Sequence, residues 1–337
     1  MKIVNVGNFP SGWNWLASRF TSHPELEWMS ASTNDIALPG WLPMRHVAQR
    51  AGAAMNARRL TTGGAALLVS HLPTISKYAE YANRTGRRRS AHLAYSFNYT
   101  ALPTGRRRSA EARALRTIDR FAVFSNVERT LYAEHFDIPP ERIDMLHWGV
   151  QPPQLAPDER PVVAGHYICA VGGQGRGYGV LAEAMRRLPN IKAVIVSTPE
   201  AVHGLNVPAN VDVRLNTTLA EANNIIAHSG FMVLPLRDGE VPCGHVTLVS
   251  AMHLGKAIVA TSSAGISDYL QDGVTGRLAH AGDSHALATQ IEECVADPVQ
   301  RDLMGERGRQ FARAHCMEDN VVDYFHGYLA RSGWIDT

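Results

Sequence analysis

No pair of cysteines in this 337-residue chain stands in a CxxC spacing, and there are only four cysteines in all, Cys169, Cys243, Cys294 and Cys316. Neither a zinc site nor a disulfide framework is indicated, and a reducing compartment is the natural reading. No run approaches the roughly twenty apolar residues needed to cross a bilayer. Lys2 to Gly7 reads as a buried strand entering a Gly/Pro loop, not as the basic segment and apolar core of a signal peptide. A GxxxxGK[ST] loop is also missing, which sets aside a P-loop nucleotidase. The stretch GGQGRGYG fails the GxGxxG pattern because the third glycine falls on Tyr178 or Val180, and no acidic residue follows about twenty positions on. These absences point to a cytoplasmic protein without a dinucleotide cofactor.

Hydrophobic residues make up 45% of the chain and charged residues 19%, the balance of a globular protein long enough for two cores. In the first half, strand candidates at Lys2–Val6, Ala65–Val69, His92–Ser96 and Arg120–Ser125 alternate with helical patterns at Trp13–Phe20, Arg45–Arg59, Ile75–Thr85 and Ser109–Thr117. Such alternation predicts a parallel sheet with both faces covered. The tract QPPQLAPDERP, Gln151 to Pro161, cannot form a regular element and reads as a linker. A second series follows, with Tyr167–Val171, Ala193–Ser197 and Phe231–Pro235 as strands and Leu181–Arg187, Leu219–His228 and His285–Val295 as helices. An apolar-faced helix, Asn320–Ala330, ends the chain. The expected architecture is two Rossmann-like α/β domains facing across a cleft, residues 1–150 and 151–318, with 319–337 a terminal helix.

The densest segment is Gly239 to Gly276, GEVPCGHVTLVSAMHLGKAIVATSSAGISDYLQDGVTG. Val246 to Leu254 has helical apolar spacing, Gly255 stands where a C-cap glycine would, and Ala257–Ala260 is a short buried strand. A polar Gly/Pro loop leading into a helix presents free backbone N–H groups, which suits an anion. The segment resembles the nucleotide-sugar-binding signature of retaining glycosyltransferases of the GT-B type, family GT4. Two further tracts are similar to that family: Phe121–Val150, whose His147-Trp148-Gly149-Val150 stands at an Asn-Gly-Val turn, and Tyr167–Met185, with its strand, Gly-rich loop and helix.

The resemblance implies a retaining, metal-independent transfer of a sugar from a nucleotide diphosphate sugar, UDP or GDP sugar first, with no tightly bound cofactor. It places the acceptor, a glycan, a lipid-linked or a small molecule, on the first domain and brings the terminal helix back to it. Gly173 and Tyr178 occupy the places of the family's diphosphate-binding Arg and Lys, which leaves Arg176 as the cation of the loop. A guanidinium clamps phosphate oxygens through two bonds, so Gly172, Gly173 and Arg176 are expected at the diphosphate with Gly244, His245, Val246, Thr247, Ser250 and Lys256. Pro242 and Ser250 stand where the family carries two glutamates, and Glu240 is the carboxylate that could replace the first. Glu240, His71 and Asn98 are the expected catalytic group: His71 ends the strand ALLVS, and Asn98, followed by Tyr99, falls near the family's sugar-contacting histidine. A nucleotide-sugar epimerase and a noncatalytic glycan- or nucleotide-binding protein are the competing readings, the second favoured by the missing glutamates. GRRRS occurs twice, and Arg87, Arg88, Arg89, Arg106, Arg107 and Arg108 are either a solvated face or a peripheral contact with the anionic inner face of a membrane. No nucleic-acid motif accompanies them.

Overall fold

The structure is a computed structural model that describes residues 1–10, 12–156, 159–237 and 241–336. It divides into two units, Met1–Leu146 with Val322–Thr337, and His147–Val321. In the first, strands β1 (Lys2–Gly7), β2 (Glu27–Ser32), β3 (Ala66–His71), β4 (Ala91–Tyr95), β5 (Arg120–Val123) and β6 (Ile143–Met145) form one parallel sheet in the order β2-β1-β3-β4-β5-β6. Helices α1 (Arg45–Leu60), α2 (Pro73–Arg84), α3 (Gly105–Leu115) and α4 (Asn126–Phe136) make the crossovers. Burial on both faces explains the near-continuous apolar reading of strands such as ALLVS, and Leu67, Leu68, Val69 and Phe121 are all inaccessible or nearly so.

The second unit repeats the plan. Strands β7 (Ile168–Val171), β8 (Ala193–Ser197), β9 (Val211–Leu215), β10 (Met232–Leu234), β11 (Ile258–Thr261) and β12 (Arg277–Ala279) are parallel in the order β12-β11-β10-β7-β8-β9. Its helices are α5 (Tyr178–Arg186), the single turn α6 (Pro199–Val202), α7 (Leu219–His228), α8 (His245–His253), α9 (Ser284–Ala296) and α10 (Pro298–His315). Local chemistry sets several of their ends. Thr218 and Glu221 form a reciprocal capping box on α7, and Asp283 accepts from the first N–H groups of α9 at 2.9 Å. At the end of α8 the N–H of Lys256 reaches Ala251 O and that of Gly255 reaches Met252 O, a Schellman closure that the φ of +68° at Gly255 permits.

The last helix, α11 (Glu318–Arg331), enters the first unit at Val322. There the Tyr324 hydroxyl donates to Asp144 Oδ2 at 3.0 Å and the Phe325 ring lies 5.0 Å from that of Tyr95.

Among the segments that differ from the sequence expectation are Trp13–Phe20, β2 and α10. Trp13–Phe20 is not a helix and holds only a 3-10 turn at Ala17–Arg19, because its indoles are used elsewhere: Trp13 stacks on Phe9 at 4.1 Å. β2 escapes notice as EWMSAS because it is an edge strand whose first half is solvent-facing. α10 escapes because two glycines and many charges dilute its periodicity, and one of those glycines shows why it is there. A Cβ at Gly305 would collide with the backbone of Gly255 and Ala257, so α10 meets the end of α8 through bare backbone. At Gly308 the same atom would find ordinary contacts at 3.6 Å. We therefore expect Gly305→Ala to lose about 1–3 kcal/mol in urea unfolding, and Gly308→Ala to lose nothing, since alanine is the better helix former.

Candidate functional site

In an open parallel sheet, ligands bind at the carboxyl ends of the strands where the winding reverses. In the second unit that point lies between β7, from which the chain winds out to β8 and β9, and β10, on β7's other side. The loops leaving these two strands are stitched together. The Gly177 N–H donates to Pro235 O at 2.6 Å, Arg237 N–H to Gly175 O at 2.8 Å, and Arg237 Nε to Arg176 O at 3.1 Å. Gly172, with φ of +124°, makes the turn out of β7, and its carbonyl accepts from the hydroxyls of both Tyr178 and Ser197. Tyr178 is thus a buried support of the loop, and burial raises its phenol pKa.

Arg176 is only 5% exposed. Its Nε donates to Val171 O at 3.2 Å, Nη1 to Gln174 O at 2.9 Å and Nη2 to Thr247 Oγ1 at 3.2 Å. All three acceptors are neutral, and no carboxylate pairs with the guanidinium among the described residues. One N–H on each terminal nitrogen stays without a protein acceptor there. Side chains at Gly172 and Gly244 would run into this group: a Cβ on Gly172 would collide with it, and one on Gly244 would lie 3.2 Å from Nη1. The two glycines therefore make the slot that Arg176 fills, and through it the loop after β7 reaches the start of α8.

That start is open. Gly244 is the N-cap with φ of +90° and no side-chain cap, and the first intrahelical bond runs from Leu248 N to Gly244 O at 3.0 Å. The N–H groups of His245, Val246 and Thr247 have no acceptor among the described residues. A buried cation beside the positive end of a helix is electrostatically incomplete, and an anion supplies what both lack. His245 adds no charge: burial lowers its pKa to about 4, and its ring lies 4.7 Å from that of Tyr269.

The structure thus brings Gly172, Arg176, Gly244, His245, Val246 and Thr247 together. Gly173 adjoins them, its missing Cβ leaving room for Thr198. Ser250 lies one turn further along α8 and donates to Val246 O at 2.9 Å. Lys256 does not join the group: it follows the opposite end of α8, where its ammonium donates to Ser229 O at 2.8 Å. Glu240 lies outside the described residues.

In the first unit His71 ends β3 beside β1, again the pair between which the winding reverses. Its Nε2 lies 3.2 Å from Asn5 Oδ1, so Nε2 carries the proton and Nδ1 is left as an acceptor. The rings of Phe9, Tyr95 and Trp13 surround it at 4.7, 5.3 and 5.8 Å, and burial lowers its pKa to about 3. Asn98 follows β4 with a side chain that has no protein partner among the described residues. Tyr99 is no candidate: it is buried, and its hydroxyl donates to Glu111 at 2.8 Å. Asn5 was not anticipated, although a single amide in an otherwise apolar strand, KIVNVG, was its signal. Of the basic residues, Arg89 is tied to Glu80 and Asp119, Arg107 to Glu111, and Arg108 to His135 O, whereas Arg87, Arg88 and Arg106 remain exposed without partners among the described residues.

The architecture is that of the GT-B glycosyltransferases, two Rossmann-like α/β units. The second unit is a GT4-like domain: residues 165–297 match the Glycosyl transferases group 1 family. The chain is 26% identical over 179 residues to the lipopolysaccharide core biosynthesis glycosyltransferase LpsE of Rhizobium meliloti, a match covering 52% of this chain and 51% of that protein. It thus spans about half the length of that relative. Among solved structures, HepE of Anabaena in complex with UDP-glucose superposes with a TM-score of 0.73 at 14% identity, covering 98% of this chain and 100% of that one. A glycosyltransferase of Rickettsia africae gives 0.71 at 13% identity, with 98% of each chain covered.

His71 and His245 both titrate below the ordinary histidine value of 6.5, so on acidification the unfolded chain binds protons first. Stability is complete above about pH 6.5 and falls as pH drops toward 4. In urea unfolding across this window, His245→Phe should remove about 1.4 kcal/mol per pH unit from the slope.

Proposed function

We propose that this protein is a retaining glycosyltransferase that binds the diphosphate of a nucleotide diphosphate sugar at the start of α8. The observation that carries this reading is the buried Arg176 guanidinium, which has no carboxylate partner among the described residues, beside the N–H groups of His245, Val246 and Thr247, which have no acceptor among them either. When the sugar leaves, negative charge grows on the diphosphate oxygen, and fixed donors in a dry setting stabilise it without reorganising. Neutralisation by Arg176 and the amides means that the reading calls for no metal. Similarity to the GT4 family supports same-face substitution, in which the departing phosphate takes the acceptor's proton. HepE, with bound UDP and UDP-glucose, makes UDP the first nucleotide to try. His71, neutral and with Nδ1 able to accept, is suited to hold a sugar hydroxyl, as is the Asn98 amide, which has no partner among the described residues. Glu240, outside the described residues, is retained as the candidate carboxylate near the donor sugar.

A noncatalytic nucleotide-binding protein is the second reading, favoured by Ser250, whose hydroxyl is turned back to Val246 O where the family has a ribose-gripping carboxylate. Release of UDP from UDP-sugars, or of GDP from GDP-sugars, separates the two and should be unaffected by EDTA. Arg176→Gln should weaken UDP binding by about 10- to 100-fold in calorimetry, the loss of charge-assisted hydrogen bonds. If no nucleotide sugar is consumed and the variant binds UDP and GDP as the parent does, the proposal fails.

The exposed Arg87, Arg88 and Arg106 are the cations that would meet an anionic lipid surface. Among the described residues no helix is long and apolar enough to cross a membrane. Co-sedimentation with phosphatidylglycerol vesicles should drop when all three are changed to Gln, and equal binding by the triple variant would remove that role.

A further inference from the structure

Ser70, Ser76, Glu80 and His92 of the first unit are fully inaccessible, yet they form one continuous run of hydrogen bonds. Glu80 Oε2 lies 2.7 Å from His92 Nδ1, His92 Nε2 lies 2.8 Å from Ser70 Oγ, Ser70 Oγ lies 2.8 Å from Ser76 Oγ, and Ser76 Oγ lies 2.9 Å from Leu72 O. The protons can be counted from the far end. Leu72 O only accepts, so Ser76 donates to it and Ser70 to Ser76, while the His92 ring bridges Ser70 Oγ and the Glu80 carboxylate. The carboxylate is held in turn, since Glu80 Oε1 accepts from Arg89 Nε and Thr117 Oγ1, each at 2.9 Å. Burial alone would raise the Glu80 pKa, but His92 and Arg89 outweigh it and keep the group ionised.

Serine, histidine and carboxylate in this order is the arrangement of a nucleophilic relay. Here no substrate can reach Ser70, and its proton is committed to Ser76. What the run does reach is the turn after His71. Leu72 has φ of +72° and ψ of 139°, a conformation that residues with a Cβ seldom adopt. Its carbonyl accepts from Ile75 N and Ser76 N, each at 3.0 Å, and from the Ser76 hydroxyl.

We infer that the buried run Glu80–His92–Ser70–Ser76 is a positioning device that pins the strained Leu72 turn and so aims the His71 ring at Asn5. The inference rests on reading His71 as a residue of the transfer site. It makes Ser76 and Glu80 positioning residues for that site although neither touches it.

The test combines ring nitrogen-15 NMR of His71, recorded without substrate, with donor turnover. In the parent His71 should show the single tautomer protonated at Nε2. In Ser76→Ala it should show mixed tautomers, and kcat should fall about 10- to 100-fold while the donor KM stays within about 2-fold. Glycine takes positive φ freely, so Ser76→Ala made together with Leu72→Gly should recover the single tautomer and most of kcat. A folded Ser76→Ala protein with the parent His71 spectrum overturns the inference, as does a double variant that recovers neither. If Ser76→Ala unfolds alone but folds with Leu72→Gly, the turn is confirmed as the point of action; if both unfold, the hydroxyl serves the core and the inference falls. A parent protein that consumes no nucleotide sugar overturns the transfer reading alone, because the NMR arm needs no turnover.

Discussion

Taking a guanidinium out of water costs several kcal/mol unless its charge is met. In the second unit Arg176 has given up nearly all its exposure and, among the described residues, has only neutral oxygens in return. Around that charge the rest of the site is arranged. Gly172 and Gly244, both at positive φ, leave room for the guanidinium, and the Thr247 hydroxyl ties it to the first turn of α8. The loop after β7 is stitched to the loop after β10, which fixes the backbone from which Arg176 projects. A binding protein gains from such preorganisation because donors already in place need no ordering when the anion arrives.

The first unit uses the same position in its sheet for a different chemistry. Where the second has cation and amides, the first has a neutral imidazole among aromatic rings, its tautomer set by Asn5. The contrast follows from the residues that end the strands: β7 runs into glycines that let the backbone come close, whereas β3 runs into Leu72, which takes a positive φ just before Pro73 opens α2. Charge is handled differently as well. In the first unit the buried Glu80 carboxylate is met by the His92 ring and by Arg89, which it shares with Asp119. Arg176 has no carboxylate partner among the described residues.

Much of this was legible in the chain. The apolar strands β1, β3, β7, β8 and β11 stood out because burial on both faces removes polar residues from them, and α8 because its apolar spacing and the glycine after it agreed. Elements that draw their stability from neighbours were harder to see. β2 is an edge strand, α10 docks through Gly305, and the apolar residues of Trp13–Phe20 follow a helical spacing that aromatic stacking on Phe9 overrides. In the site, Arg176 was recognisable as the cation of a Gly-rich loop. Lys256 looked equivalent on spacing alone, but a helix separates its end from the anion-facing one, and its ammonium is taken by a carbonyl.

The sequence by itself determined the alternation of strand and helix, hence two parallel sheets, and the glycines that mark where backbone must come close. Both are local: periodicity reports which faces are buried, and a missing Cβ reports crowding. Only the tertiary structure decided which polar groups meet. Asn5 and His71 lie 66 residues apart, and Arg176 and Thr247 lie 71 apart, so neither contact leaves a periodic trace in the chain. It also decided which charges are spent, pairing Arg89 with Glu80 and leaving Arg176 without a carboxylate among the described residues. A guanidinium's availability is set by what surrounds it in space, and the order of residues along the chain does not carry that information.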